Sequence, residues 1–187
     1  RQEIIETRLR AVHGKNADRE QILRDFFQSA GCNGDRFVEQ PVKHSKLPNL
    51  ICTVPGQTDS VIIVGAHFDA VFAGSGIIDN WSGASLLPSF YESITGVPRR
   101  HTFIFIGFTE EESGLVGSRY YVNHLSKEER EKISAMVNLD SVGTSSTKIE
   151  TDRGSATLLN ALAAVAGTFK LPLQIVNVHL VGMSDSD

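Results

Sequence analysis

The stretch TEEESGLVGS, residues 109–118, sets Glu110, Glu111 and Glu112 side by side directly after an apolar run. Adjacent carboxylates repel one another. The crowding therefore implies either a solvated acidic turn or a positive charge held among the three. In GAHFDA, His67 and Asp69 are two positions apart, so an extended backbone points both to one face. That spacing suits a histidine metal ligand with a carboxylate behind it, holding the other ring nitrogen. Asp79, in GIIDNWSGAS, stands at the mouth of a helix, and Asp140 follows the apolar run AMVNL. Each of these two has a structural reading as a cap or turn residue. Capping does not explain why all of them follow candidate strands. Several unpaired carboxylates in one cleft resist desolvation, and a divalent cation resolves that conflict. A mixed His/Asp/Glu donor set suits zinc.

The elements that must position these residues can be read from hydrophobic pattern. VIIVGA, FIFIGF and AMVNL are continuous apolar runs of the kind found in strands buried on both faces. They end in HFD, TEEE and DSVG respectively. Two shorter extended segments, RFVEQPV and NLICTV, precede them, the second ending at the Pro55-Gly56 turn. Helices are expected over about residues 2–12 and over REQILRDFFQSAG, where Ile22, Leu23, Phe26 and Phe27 share a face. Asn16 or Asp18 is the expected cap of the second helix and Gly31 its stop. SGASLLPSFYESI reads as a helix kinked at Pro88. LVGSRYYVNHL, KEEREKI and SATLLNALAAVAG are the remaining helices, and KIETD and LQIVNVHL the remaining extended segments. Strands alternating with helices predict a three-layer α/β domain with a mostly parallel central sheet and helices on both faces. In such sheets ligands bind outside the carboxyl ends of the strands, where the three acidic endings converge.

Composition narrows the partners. The 187-residue chain is 41% hydrophobic and 21% charged, enough for one core and one domain. A net charge of −4 without any Lys/Arg block argues against nucleic acid or an anionic membrane. No apolar run approaches the length of a membrane span. Cys32 and Cys52, twenty positions apart and in no CxxC or Cys/His cluster, read as two isolated buried thiols.

The motifs GAHFDA, GIIDNWSGAS, FTEEESGLVGS and NLDSVG, in that order, resemble the zinc-dependent M28 metallopeptidases, the bacterial leucyl-type aminopeptidases and their relatives. The resemblance spans roughly residues 35–185 and implies two zinc ions per complete domain. It makes His67 and Asp140 ligands of the first zinc, Asp79 a bridge between both, and Glu112 a ligand of the second. Asp69 would hold His67 from behind. Glu111 would be the general base, taking a proton from the attacking water and passing it to the leaving amine, with Glu110 an outward-facing extra charge. The resemblance also implies a cis peptide at Asp79-Asn80. The expected substrate is the unblocked N-terminus of a peptide or protein, and a secreted or periplasmic location is favoured although the chain carries no signal-like segment. A glutaminyl cyclase of the same fold and a non-catalytic receptor-like ectodomain are the alternatives.

Two features depart from the family pattern. Its last ligand is a His in a Ser-Asp-His turn, whereas this sequence closes on GMSDSD. If Ser184-Asp185 is that turn, Ser186 stands where the His belongs; if Ser186-Asp187 is, the His would be residue 188. The fifth ligand is thus unassigned, with Asp185 and Asp187 the candidates inside the chain, and the domain is expected to be incomplete at this end. Trp81, beside the bridging Asp79, either narrows the substrate pocket or covers the core. His13, His44, His101, His124 and His179 match no motif and are expected to be structural or surface residues.

Overall fold

The computed structural model describes residues 2–12, 14–151, 154–177 and 183–186. Helices α1 (Gln2–Arg10) and α2 (Asn16–Ser29) come first, followed by strands β1 (Phe37–Gln40), β2 (Asn49–Val54) and β3 (Val61–His67). A distorted turn over Ile77–Trp81 leads into α3 (Ser82–Ala84) and α4 (Leu87–Thr95). Then come β4 (Thr102–Phe108), α5 (Val116–His124), α6 (Lys127–Lys132) and β5 (Ile133–Asn138). The remaining described elements are β6 (Thr147–Glu150), α7 (Ala156–Phe169) and β7 (Leu173–Val176).

The central sheet has the order β1-β2-β4-β3-β5. Its parallel part is β4-β3-β5, where the acidic endings lie, and β1 and β2 add an antiparallel edge. Alternation of elements predicted the parallel part; the short β1-β2 hairpin returns without a crossover helix, so its strands run against the rest. β6 and β7 pair in parallel as a separate two-stranded sheet. The strand expected over 173–180 reaches Val176, and residues 178–180 lie outside the described residues.

Alternating side chains send β4 into two cores. Phe105, with Leu50, Cys52 and Ala66, packs against Leu23 and Phe27 of α2 and Leu87 and Tyr91 of α4. Ile106 and Phe108 face the other way, onto Ile63 and Tyr121 of α5. Helices therefore cover both faces of the sheet. The expected kink at Pro88 is instead a break between α3 and α4. Pro88 sits in the first turn of α4, where its missing N–H leaves no helical bond unmade.

Cys32 and Cys52 form a disulfide, with Cα atoms 6.2 Å apart, which overturns the reading as free thiols. The bond ties the loop after α2 to β2 in the fully buried core. Replacing both residues by Ala is expected to lower unfolding free energy by about 2–4 kcal/mol, the scale for closing a loop of this length. Urea unfolding of parent and variant would measure it, and coincident midpoints would show that the cross-link adds no stability.

Candidate metal centre

Strand register gathers the site. His67, the last residue of β3, is paired with Phe108 of β4, and Gly65 with Asn138 of β5. The segments just past all three strands therefore emerge at one edge of the sheet, carrying Asp69, Glu110–Glu112 and Asp140.

His67 is buried at the centre of this group. Its Nε2 lies 3.2 Å from Asp79 Oδ1, 3.8 Å from Glu111 Oε2 and 3.9 Å from Asp140 Oδ1. Ligand atoms of His67, Asp79 and Glu112 all lie within 4.8 Å of one another. Nitrogen and carboxylate oxygens at such separations fit a zinc-type donor set. The structure thus brings together every residue the motifs singled out: His67, Asp69, Asp79, Glu111, Glu112 and Asp140.

Asp69 does more than stand behind the imidazole. Its Oδ1 is 3.5 Å from His67 Nδ1, and its carboxylate also accepts the backbone N–H groups of Glu111 (3.1 Å) and Glu112 (3.2 Å). The backbone carbonyl oxygen of Asp69 lies nearer still to His67 Nδ1, at 3.2 Å, so this one residue fixes the ring and, through its carboxylate, the acidic turn. Glu110 takes the left-handed backbone conformation (φ 55°), and its carboxylate accepts from Ser113 (2.7 Å) and Ser45 (3.4 Å). It is a turn-stapling residue, not merely an outward-facing extra charge.

The Asp79-Asn80 peptide is cis, as the motif resemblance implied. Asn80 is fully buried. Its Nδ2 donates to Leu139 O (2.8 Å), and its Oδ1 accepts from the N–H groups of Gly83 (3.0 Å) and Ser141 (3.2 Å). Leu139 and Ser141 flank Asp140, so Asn80 couples the two carboxylates on either side of His67. Asn49 acts similarly beneath the acidic turn, accepting from Thr109 N–H (3.1 Å) and donating to Gly117 O (2.9 Å). Neither asparagine was anticipated as a site residue; for Asn80, its place next to Asp79 was the available signal. Trp81 is wholly buried and donates from Nε1 to Arg8 O (3.0 Å), so it covers the core.

Crowding and burial shift the proton affinities of the groups at the site. For His67, burial is the largest influence and opposes protonation, but bonds to Asp69 and Asp79 and the charge of Asp140 outweigh it, pushing the imidazole up to about 11. Burial pushes Glu111 up to about 7, with His67 pulling down and Asp185, Asp140 and Glu112 pushing up. Burial also raises Glu112 and Asp140, while the bond to His67 holds Asp79 below its usual range. Asp185 is 5% exposed, and burial pushes it up to about 6 against the pull of Ser118 and His67. It adds negative charge beside the site but is outside the His67-Asp79-Glu112 group. Asp187, the other candidate for a last ligand, lies outside the described residues, as do His13 and His179. His101 bonds Ser60 (2.9 Å), His124 stacks on Tyr120, and His44 is exposed, so none of these three joins the cluster.

A cleft of about 250 Å³ opens beside Asp79 and Glu112, walled by Val71, Ala73, Ser75, Gly76, Ile77 and Ile78. Among the described residues no helix is long and apolar enough to cross a membrane.

The family model for peptidase family M28 matches residues 49–187. An aminopeptidase of Pseudomonas aeruginosa (strain UCBPP-PA14) is 39% identical over 89 residues, covering 48% of this chain and 17% of that protein. The structure of BSAP, a zinc aminopeptidase from Bacillus subtilis, superposes with a TM-score of 0.65 at 30% identity, over 69% of this chain and 34% of that one. An Acidobacteriales bacterium glutaminyl cyclase shares the fold, with a TM-score of 0.75 at 19% identity over 95% of this chain and 72% of its own. The chain thus spans about a third of the Bacillus structure and less than a fifth of the Pseudomonas relative. With the family model covering most of its length, the chain belongs to peptidase family M28.

Proposed function

We propose that this chain carries the metal centre of a dinuclear-zinc aminopeptidase that hydrolyses the N-terminal peptide bond of peptides or proteins. The observation that carries the reading is the convergence of His67, Asp79 and Glu112 within 4.8 Å, with the Glu111 carboxylate 3.8 Å from His67 Nε2. The similarity to the Bacillus zinc aminopeptidase supports it. His67, Asp79 and Asp140 would hold one zinc, and Glu112, together with Asp79, a second. Bound zinc supplies Lewis acidity, acidifying a water molecule and polarising a carbonyl. Glu111 accepts the proton of the attacking water and delivers it to the departing amine. Asp69 keeps His67 and the Glu111-Glu112 backbone in register during both transfers.

The apolar walls formed by Val71, Ile77 and Ile78 favour an uncharged substrate side chain beside the metals. The Cys32–Cys52 bond is consistent with action in an oxidising compartment, such as a secreted or periplasmic location.

The test is to assay the zinc-loaded full-length protein on leucyl and aspartyl anilides and on a Gln-initiated peptide. Release of aniline from the leucyl compound in preference to the aspartyl one is the expected result. Cyclisation of the Gln peptide without anilide turnover would transfer the site to cyclase chemistry. Zinc binding with neither activity would favour a receptor-like domain.

A further inference from the structure

The loop between Asp69 and Asp79 must return the chain so that Asp79 faces His67 across 3.2 Å. What holds that loop comes from outside the segment matched by the family model, residues 49–187. Arg19, in the first turns of α2, is only 3% exposed. Its Nη1 donates to Phe68 O (3.3 Å) and Gly76 O (3.1 Å), and its Nη2 donates to Ser75 O. Asn16, three residues earlier and so on the same helix face, bonds Ala70 twice, Nδ2 to O at 3.3 Å and Oδ1 from N–H at 3.0 Å. Five hydrogen bonds from one helical turn thus grip both shoulders of the loop, 68–70 on one side and 75–76 on the other.

The fit is specific to these side chains. A planar guanidinium presents its donors in a rigid fork, whereas an ammonium is a compact charge with three rotatable donors and would hold the same carbonyls less rigidly. The guanidinium also lies over the Trp81 ring, 5.8 Å from its centroid, next to the turn that carries Asp79. At Gly76 (φ 55°) a Cβ would come within 2.7 Å of Arg19 Nη2 and 2.4 Å of Ala70 Cβ, so the loop is closed tightly onto the clamp. Burying a cation against backbone carbonyls is costly, and general helix stability would not require it. Of the two residues expected to cap the helix, Asn16 is committed to this contact, and Asp18 accepts the N–H of Lys15 (2.7 Å).

We propose that Arg19 and Asn16 are positioning residues that set the spacing of His67 and Asp79 and thereby the zinc affinity of the site. This rests on the metal reading above. Arg19→Gln, Arg19→Lys and Asn16→Ala in the full-length protein should each weaken zinc binding by about 10–100-fold, the scale for groups that orient ligands, with Lys losing least. Zinc affinity would be read by competition with a chromogenic chelator, and site geometry by the visible spectrum of the cobalt(II) form. Thermal midpoints would identify variants that remain folded. If Arg19→Gln does not fold, Asn16→Ala decides the question. Folded variants that bind zinc within twofold of the parent, with an unchanged cobalt spectrum, would overturn the clamp. A parent that binds no zinc would overturn the metal reading, and the clamp with it.

Discussion

Glu111→Gln in the zinc-loaded, full-length protein is expected to lower turnover by about 10²–10⁴-fold while zinc content stays at the parent level. The Glu111 side chain is 13% exposed, and its backbone N–H is held by Asp69. The bond to Asp69 thus fixes the main chain from which the carboxylate projects. In the metal-free centre burial pushes its carboxyl up to about 7, and bound zinc would draw that value down. Gln keeps the size and the backbone contact but cannot accept a proton. Because proton transfer occurs only on the way to the transition state, the loss should fall on kcat and leave KM little changed. Glu112→Gln is the control, since Glu112 belongs to the group gathered with His67 and Asp79. That variant should lose zinc together with activity. The reverse pattern, zinc lost from Glu111→Gln and kept by Glu112→Gln, would exchange the two roles.

The residues of the centre were legible in the sequence because their surroundings are unusual for their type. His67, Glu111, Glu112 and Asp140 each follow a short continuous apolar run, a pattern typical of strands in a parallel sheet. Once β3, β4 and β5 lie side by side in parallel, their endings have to meet. What holds the centre was far less legible. Asn80, Asn49 and Arg19 act on backbone carbonyls and amides, which are the same at every position and leave no pattern in side-chain types. The Cys32–Cys52 bond was missed because its partners meet only after β2 has joined the sheet, a contact with no local signature. The antiparallel edge was missed for a related reason. β1 and β2 are short apolar segments whose composition is compatible with either direction, and direction is decided by the connection between them.

Stripping zinc from the full-length protein is expected to abolish turnover and to leave a fold whose thermal stability falls as pH rises from about 5 to 8. The sign follows from the groups at the centre. His67, ordinarily titrating near 6.5, is pushed up to about 11 in the folded chain: burial opposes this, but the bonds to Asp69 and Asp79 prevail. Its stabilising contribution is complete below 6.5 and is lost as pH rises toward 11. Glu111, pushed by burial from 4.5 up to about 7, keeps in the folded state a proton that the unfolded chain releases, so stability declines across that window too. Asp185, raised by burial from 3.8 to about 6, acts in the same direction. Asp79 has the opposite sign, since His67 holds it below its usual 3.8, but its contribution changes only at more acid pH. Zinc reverses the trend. Binding must displace the proton of His67, so affinity should climb by up to about tenfold per pH unit for that one proton. Zinc held a thousandfold above its Kd adds about 4 kcal/mol, or roughly 8–16 °C in midpoint for a chain of this size. The gap between zinc-loaded and zinc-free midpoints should therefore be small near pH 5 and widen steadily toward pH 8. Scanning calorimetry of both forms measures it. A zinc-free midpoint that rises over this range would mean that the carboxylates around His67 are solvated in the folded protein, and that the acidic turn needs no cation.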